Sequence, residues 1–180
     1  NSKTDNSHAL IETMRLAFFD RERYLGDADF DHVPIGKLIS KEYGRELFTR
    51  IKMDKAAPLG DFFRKATKEK MQTTHFSAAD REGNLVSNTF TLQDLFGSKA
   101  VVRGLGFLLN DEMNDFDLNP NDTNGRGGAK PNLIQPKKRM LSSMTPTIVL
   151  QNGKPLFITG SPGGRTIINT ILQIVSNVAD

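Results

Sequence analysis

The chain has 180 residues, of which 24 are Lys or Arg and 21 are Asp or Glu, and it contains no Cys. This length fits a single domain, and the lack of Cys excludes disulfides and Cys-ligated metal sites within it. The net charge of +3 is too small to indicate a nucleic-acid-binding protein. No apolar stretch reaches the roughly 18 residues that a membrane helix needs, so we expect neither a nucleic-acid partner nor a membrane span in this chain.

The first part of the chain, up to about residue 72, is predicted to be mainly helical. Apolar residues recur at helical spacing from His8 to Tyr24, and Asn6 or Ser7 are candidate N-caps. Ser40 is placed to cap a second helix over Lys41–Ile51. An Asp-rich loop is expected between the two helices.

Beyond residue 72 the pattern changes from helices to strands with tight turns. The charged stretch Lys52–Lys70 predicts an exposed connector with a short helix at Phe62–Thr67. Thr74–Asp80 and Asn84–Leu92 then predict two strands joined by a short turn. In the second strand hydroxyl side chains alternate with apolar ones, which predicts one hydroxylic face and one mostly apolar face.

Two irregular stretches follow. Gly97–Asn110 is a further strand-like run interrupted by glycines, and residues 117–139 are predicted to form a long polar loop. Loops of that length are uncommon in compact domains unless they have a function. The basic cluster Lys137-Lys138-Arg139 is expected to be a solvated surface.

The last segment predicts a hairpin, a glycine-rich loop and a helix. Asn152-Gly153 is a strong signal for a tight turn between Thr147–Leu150 and Leu156–Thr159, and a helix is predicted over Arg165–Val178. The loop Gly160–Gly164 offers backbone N–H groups without side chains in the way, which suits an anion or a developing oxyanion. The same glycines also fit an ordinary tight turn.

Three further features carry candidate chemistry. Glu112 and Asp115 are spaced to share one face of a helical turn, as an acid–base pair, an ammonium site or plain surface carboxylates.

Thr73, at the change of pattern, fits a strand start or an N-terminal nucleophile exposed by chain cleavage. A free Thr amine has a pKa of about 8 and can accept the proton of its own hydroxyl. The three histidines have no metal-ligand spacing; they are His8, His32 and His75.

As an ordered set, the segments resemble the gamma-glutamyltranspeptidase (glutathione hydrolase) family of N-terminal-nucleophile hydrolases. No single segment is specific, but their order along nearly the whole chain is. The resemblance is carried by His8–Phe18, Tyr24–Asp27, Ser40–Tyr43, Thr73–Ser77, Gly83-Asn84, Thr89–Leu92, Phe96–Ser98, Leu108–Phe116, Lys138–Thr147 and Thr159–Gly164.

This resemblance implies an α+β fold, the αββα sandwich of the N-terminal-nucleophile hydrolases, incomplete in this chain. It implies self-cleavage between Gln72 and Thr73, so that residues 1–72 end the large subunit and residues 73–180 begin the small, catalytic subunit. Thr73 would attack the γ-glutamyl amide of glutathione or a related donor, and water or an amino acid or peptide acceptor would release the acyl group. No cofactor and no metal are implied, and the family suggests a protein that is periplasmic, secreted or at the cell surface.

The family's functional residues map onto this chain by motif. The implied nucleophile is Thr73, oriented by Thr91; the oxyanion hole is Gly163 and Gly164; the donor's amino end meets Gln93, Glu112 and Asp115; its α-carboxylate meets Ser142 and Ser143. Gln93 replaces a more usual Asn, the lid-like loop 117–134 lacks an aromatic residue, and the family's carboxylate-binding Arg has no counterpart here.

Two other functions remain open at this level. A cephalosporin-type acylase or a poly-γ-glutamate-cleaving relative would have the same fold and a different substrate. An inactive fragment would have no enzymatic activity. We expect the 180 residues to be the middle of a longer chain, marginally stable and inactive by themselves.

Overall fold

The computed structural model describes residues 3–58, 72–119 and 131–179. Helices and antiparallel strands are mixed, as expected for an α+β chain. The chain divides into two compact units, Asn1–Ala66 with Phe116–Leu141, and Thr67–Asp115 with Ser142–Asp180. The predicted short helix at Phe62–Thr67 lies outside the described residues. Within the described ranges, no helix has both the length and the apolar character needed to cross a membrane.

The first unit contains three helices: α1 (Lys3–Tyr24), α2 (Ile35–Leu38) and α3 (Lys41–Phe48). Helix α1 begins earlier than predicted, so Asn6 and Ser7 lie inside it and do not cap it. The predicted cap of α3 is confirmed, since Ser40 Oγ accepts a hydrogen bond from the Tyr43 N–H at 3.1 Å. The helix ends before the predicted Ile51. Helix α2 was not predicted, because a single turn gives no periodic pattern.

Tyr43 connects α3 to α1. It is one of the buried apolar side chains of the described residues, and its hydroxyl donates to Asp20 Oδ2 at 2.9 Å. Burial and this carboxylate raise the pKa of Tyr43 to about 12. The phenol therefore stays neutral and keeps its hydrogen bond across the physiological range.

Lys138 and Arg139 hold their segment against the Asp-rich loop of the same unit. Lys138 is buried and its Nζ lies 2.6 Å from Asp31 Oδ2. The backbone N–H and Nε of Arg139 donate to Asp27 Oδ2 at 2.8 and 3.1 Å. The expectation of a solvated basic cluster was therefore wrong for Lys138, because sequence alone did not show that the acidic loop lies against it. The side chain of Arg139 is exposed, as expected, although it pairs with Asp27.

The second unit is built from two hairpins and a helix: β1 (Thr74–Ala79), β2 (Leu85–Phe90), β3 (Thr147–Gln151), β4 (Lys154–Thr159) and α4 (Thr166–Ala179). Strands β1 and β2 pair antiparallel, as do β3 and β4. The predicted Asn152-Gly153 turn is confirmed, since both residues have positive φ, 52° and 75°. In the run Gly97–Asn110, the described residues form an isolated Val101–Leu108 bridge and no strand.

The β1–β2 hairpin has the two predicted faces, but its apolar face is the exposed one. Ser87 Oγ, on the hydroxylic face, donates to the Thr159 carbonyl of β4 at 3.0 Å. The hydroxylic face is thus turned toward the β3–β4 hairpin. The apolar face keeps large side chains about half exposed: Phe76 54%, Val86 49% and Phe90 58%.

Candidate active site

The open end of the β1–β2 hairpin carries Thr73 and Thr91. Thr73 directly precedes β1 and Thr91 directly follows β2, and both are half-buried. The last pair of the ladder is Thr74 with Phe90. Continued by one residue, this register aligns Thr73 with Thr91. Opposed residues of antiparallel strands have Cβ atoms about 4.5–5.5 Å apart, so the alignment brings the two hydroxyl-bearing residues to one place.

Gln93 shapes the chain just after β2. Its backbone N–H donates to Thr91 Oγ1 at 2.9 Å, which fixes the hydroxyl of Thr91. Its φ is +75°, a left-handed value that is uncommon outside glycine. With the chain turned in this way, Gln93 Nε2 donates to Asp115 Oδ1 at 2.9 Å. One residue therefore connects the threonine to the acidic cluster.

The predicted shared face of Glu112 and Asp115 is confirmed. The two residues begin and end a 3₁₀ turn, Glu112–Asp115, in which positions i and i+3 eclipse. The turn is held beside the end of β2, since the Asp111 N–H donates to the Leu92 carbonyl at 3.1 Å and Asp111 Oδ1 accepts from the Asp94 N–H at 3.0 Å.

The acidic cluster perturbs Glu112. Burial, the charge of Asp115, a hydrogen bond to Asp115 and the charge of Asp111 together raise the pKa of Glu112 to about 7. Glu112 Oε1 is shielded from solvent and has no hydrogen-bond partner. A shielded acceptor beside two carboxylates is suited to a cationic donor such as an ammonium group.

Gly163 and Gly164 lie between β4 and α4. Their φ values are 137° and 55°, and a Cβ at Gly163 would stand 2.6 Å from Thr166 Oγ1. The N–H and Oγ1 of Thr166 donate to the Gly163 carbonyl at 3.0 and 2.7 Å, and the N–H of the buried Ile167 donates to the Gly164 carbonyl at 3.2 Å. These bonds fix both glycine peptides at the amino end of α4, where the helix dipole favours negative charge.

Ser142 and Ser143 lie in the extended segment that leads into β3. Ser142 is exposed and its Oγ accepts from the Met144 N–H at 3.2 Å. Ser143 is half-buried, and its carbonyl accepts from Thr145 Oγ1 at 3.0 Å. Because β3 and β4 are antiparallel, with Thr147 opposite Thr159, the serines and the glycine loop leave the same end of the hairpin.

His75 is a residue of this region that the sequence did not single out. Its Nδ1 lies 2.9 Å from Thr89 Oγ1 and its Nε2 lies 3.0 Å from Ser77 Oγ. Its ring also packs against Gly160, where a Cβ would stand 2.1 Å from Nδ1. Strand alternation from Thr73 was the available signal, because it places His75 on the same face.

The predicted site residues lie at the open ends of two hairpins, and the hairpins meet through His75 and Gly160. Gln93, Glu112 and Asp115 form one cluster, and Thr73 is aligned with Thr91. Among the side chains that the structure describes, no group of three or more His, Asp or Glu is arranged to hold a metal ion.

Comparison with known proteins places these features in a family. The family model for gamma-glutamyltranspeptidase matches residues 1–180, the whole chain. The glutathione hydrolase proenzyme of Pseudomonas aeruginosa is 44% identical over 175 residues, which cover 96% of this chain and 31% of that protein. The chain therefore spans about a third of the length of such relatives.

Solved structures give the same picture. An acivicin-inhibited gamma-glutamyltranspeptidase, whose C-terminus has critical roles in autoprocessing and catalysis, is 53% identical with a TM-score of 0.53, covering 59% of this chain and 58% of that chain. A cephalosporin acylase from Bacillus halodurans is 27% identical with a TM-score of 0.74, covering 99% of this chain and 30% of that chain. The α+β fold is that of these N-terminal-nucleophile hydrolases.

Proposed function

Because the chain belongs to the gamma-glutamyltranspeptidase family, we propose that the protein containing it transfers and hydrolyses γ-glutamyl groups of glutathione and related donors. In this proposal the precursor cleaves itself between Gln72 and Thr73. Residues 1–72 then end the large subunit and residues 73–180 begin the small subunit. The compound that accepts the group is water, an amino acid or a peptide, and the protein is periplasmic, secreted or at the cell surface.

The observation that carries the proposal is the cluster of Gln93, Glu112 and Asp115. A γ-glutamyl donor has a free α-ammonium group, and Glu112 Oε1 is a shielded acceptor without a partner. The α-ammonium would supply the missing donor. The hydroxyls of Ser142 and Ser143 would donate to the α-carboxylate of the same substrate.

The first chemical step forms the acyl-enzyme. Cleavage frees the α-amine of Thr73, which accepts the proton of the Thr73 hydroxyl while Oγ bonds to the γ-carbonyl carbon. Thr91 holds the nucleophile in line for this attack. The carbonyl oxygen becomes an oxyanion and accepts from the N–H groups of Gly163 and Gly164, of which one donor is typically worth about 3–4 kcal/mol.

The intermediate then collapses. The bond from the γ-carbon to nitrogen breaks, the Thr73 ammonium gives its proton to the leaving amine, and a γ-glutamyl ester on Thr73 remains. Water or an acceptor amine attacks this ester and gives a proton to the Thr73 amine. When the ester bond breaks, that proton returns to Thr73 Oγ, and glutamate or a new γ-glutamyl amide leaves.

The test uses the full-length protein in three forms: unchanged, Thr73→Ala and Thr73→Ser. We expect the unchanged protein to yield a small subunit that begins at Thr73, identified by mass spectrometry, and to release aniline from a γ-glutamyl anilide. Thr73→Ala should remain one chain without turnover, whereas Thr73→Ser keeps a hydroxyl and should still be cleaved. An uncleaved wild-type protein, or turnover by Thr73→Ala, would refute the mechanism.

An acylase is the second candidate, because the Bacillus halodurans cephalosporin acylase matches 99% of this chain. Such an enzyme, or one that cleaves poly-γ-glutamate, would use the same nucleophile on another amide. A donor panel separates the three. Preference for a γ-glutamyl anilide over a glutaryl anilide, which lacks the α-ammonium, supports the first proposal, and the reverse preference supports the acylase. Preferential shortening of poly-γ-glutamate supports the third.

A further inference from the structure

His75 has no role in the proposed mechanism, yet it lies in the strand that follows Thr73 and packs against the loop that contains Gly163 and Gly164. It lies in β1, two residues after Thr73, and directly opposite Thr89 in the register of the hairpin. Its two ring nitrogens are each held, Nδ1 at 2.9 Å from Thr89 Oγ1 and Nε2 at 3.0 Å from Ser77 Oγ. A ring held at both nitrogens has a fixed orientation.

The face of this ring lies against the first residue of the glycine loop. A Cβ at Gly160 would stand 2.1 Å from Nδ1 and 2.2 Å from Cε1, far closer than atoms can approach. The φ of Gly160 is not in the left-handed region, unlike those of Gly163 and Gly164. The need for glycine at position 160 therefore comes from the imidazole and not from the backbone conformation.

We infer that His75 is a positioning residue for the oxyanion hole, acting as a spacer between the Thr73 end of the hairpin and the Gly160–Gly164 loop. The thickness of the ring sets how closely this loop approaches β1. It thereby sets the distance between the N–H groups of Gly163 and Gly164 and the carbon that Thr73 attacks. This inference rests on the proposed function, because it assigns the loop to the transition state.

Oxyanion stabilisation is sensitive to such a spacer. Donors must lie about 2.7–3.1 Å from the developing oxyanion, and a misplacement of about 1 Å costs on the order of 100-fold in rate. Removal of the ring lets the loop shift without removing any group that touches the substrate. The expected effect is therefore on kcat and not on KM.

The first experiment measures kcat and KM for a γ-glutamyl anilide on purified, cleaved full-length protein. His75→Ala should lower kcat by about tenfold or more with little change in KM, and His75→Asn, which keeps a polar partner for Thr89, should recover part of the loss. Ser87→Ala is the matched control, because it removes a hydrogen bond that joins the same two hairpins without touching the ring. An unchanged kcat in His75→Ala, or an equal loss in Ser87→Ala, would overturn the inference.

A second experiment tests the contact itself. Gly160→Ala places a methyl group against the ring and should lower both kcat and the melting temperature. In the His75→Ala background the same methyl fills vacated space, so the added loss should be much smaller. Losses that simply add would show that the ring does not set the position of the loop.

The two experiments separate failure of the inference from failure of the proposed function. Wild-type protein without γ-glutamyl turnover refutes the function, and kcat is then measured on the amide that the donor panel identifies. If no amide is cleaved, the positioning role falls with the function. The melting-temperature cycle between His75 and Gly160 requires no substrate, and additivity there refutes the spacer whatever the enzyme cleaves.

Discussion

Glu112 lies in an acidic cluster that raises its pKa. In the free site it faces Asp115 and Asp111, and its pKa is raised to about 7. The neutral form donates to Asp115, whereas a bound ammonium group requires the ionised form. Binding of the donor should therefore release a proton from Glu112 whenever the pH lies below about 7.

The first prediction concerns pH and donor affinity. KM for a γ-glutamyl anilide should fall as the pH rises toward about 7 and level off above it, because Glu112 is then already ionised. Glu112→Gln should raise KM and remove this dependence, while Glu82→Gln, in the exposed β1–β2 turn, should keep it. The same KM profile in wild-type protein and Glu112→Gln would contradict the assignment. The amine that the proposed cleavage frees on Thr73 should affect kcat and not this KM profile.

A rise in pH should have the opposite effect on stability: ionisation of Glu112 favours donor binding but lowers the free energy of unfolding. A carboxyl whose folded pKa is raised adds stability that is fully present below its ordinary pKa of about 4.3 and is lost as the pH rises through about 7. Ionisation of Glu112 at neutral pH therefore reduces the free energy of unfolding. The negative charges of Glu112, Asp115 and Asp111 repel one another, and the ammonium group of the proposed donor would offset this repulsion.

At the level of elements, the strands were predictable and their environment was not. Strand alternation gave both faces of the β1–β2 hairpin, and Asn152-Gly153 gave the second hairpin, because turn and strand rules act over a few residues. The shared face of Glu112 and Asp115 was predictable for the same reason, since it depends on a spacing of three residues. The sequence rules missed the features that depend on distant segments: the apolar face is the exposed one, and His75 packs against Gly160, which lies 85 positions later in the chain.

The contact between Asp27 and Arg139 joins residues that are far apart in the chain, and it was not predicted from the sequence. Asp27 is buried and accepts from the backbone and side chain of Arg139, and these hydrogen bonds hold the pKa of Asp27 well below its usual range. They join the loop after α1 to the segment that leads toward Ser142. The ion pair of Lys138 with Asp31 supports the same junction.

Loss of this junction should destabilise the protein. Arg139→Ala removes the guanidinium hydrogen bonds to the buried Asp27 carboxylate and keeps the backbone N–H bond, so the melting temperature of the full-length protein should fall by several degrees. Arg50→Ala, which removes an exposed pair with Glu46, is the matched control and should change it by no more than about 1 °C. An equal effect of the two changes would show that the buried junction contributes no more than a surface ion pair.

The loss of stability at low pH gives a second measure of the contact between Asp27 and Arg139. Because the folded pKa of Asp27 is lowered, its contribution is present above its ordinary pKa of about 3.9 and is lost as the pH falls below that value. Arg139→Ala should therefore flatten the loss of stability in acid. An unchanged loss of stability in acid in this variant would mean that the lowered pKa of Asp27 does not depend on the guanidinium of Arg139.

At the scale of the whole molecule, the exposed apolar face of the β1–β2 hairpin needs a partner. Phe76, Val86 and Phe90 are each about half exposed within this chain, and contiguous apolar surface is usually covered in a soluble protein. The chain spans 31% of the length of the Pseudomonas aeruginosa relative. We therefore predict that other parts of the full-length protein cover this face, as stacked layers do in sandwich folds.

Thiol labelling tests this prediction, because the chain itself contains no Cys and an introduced one reports on its own position. In the full-length protein, with any other cysteines replaced, Val86→Cys should react with a thiol reagent about tenfold more slowly, or slower still, than Glu82→Cys in the exposed turn. In denaturant the two rates should converge, which controls for intrinsic reactivity. Equal rates in the folded protein would mean that the face stays open to solvent, and that the hairpin is held by its hydroxylic side alone, through contacts such as Ser87 with Thr159 and His75 with Gly160.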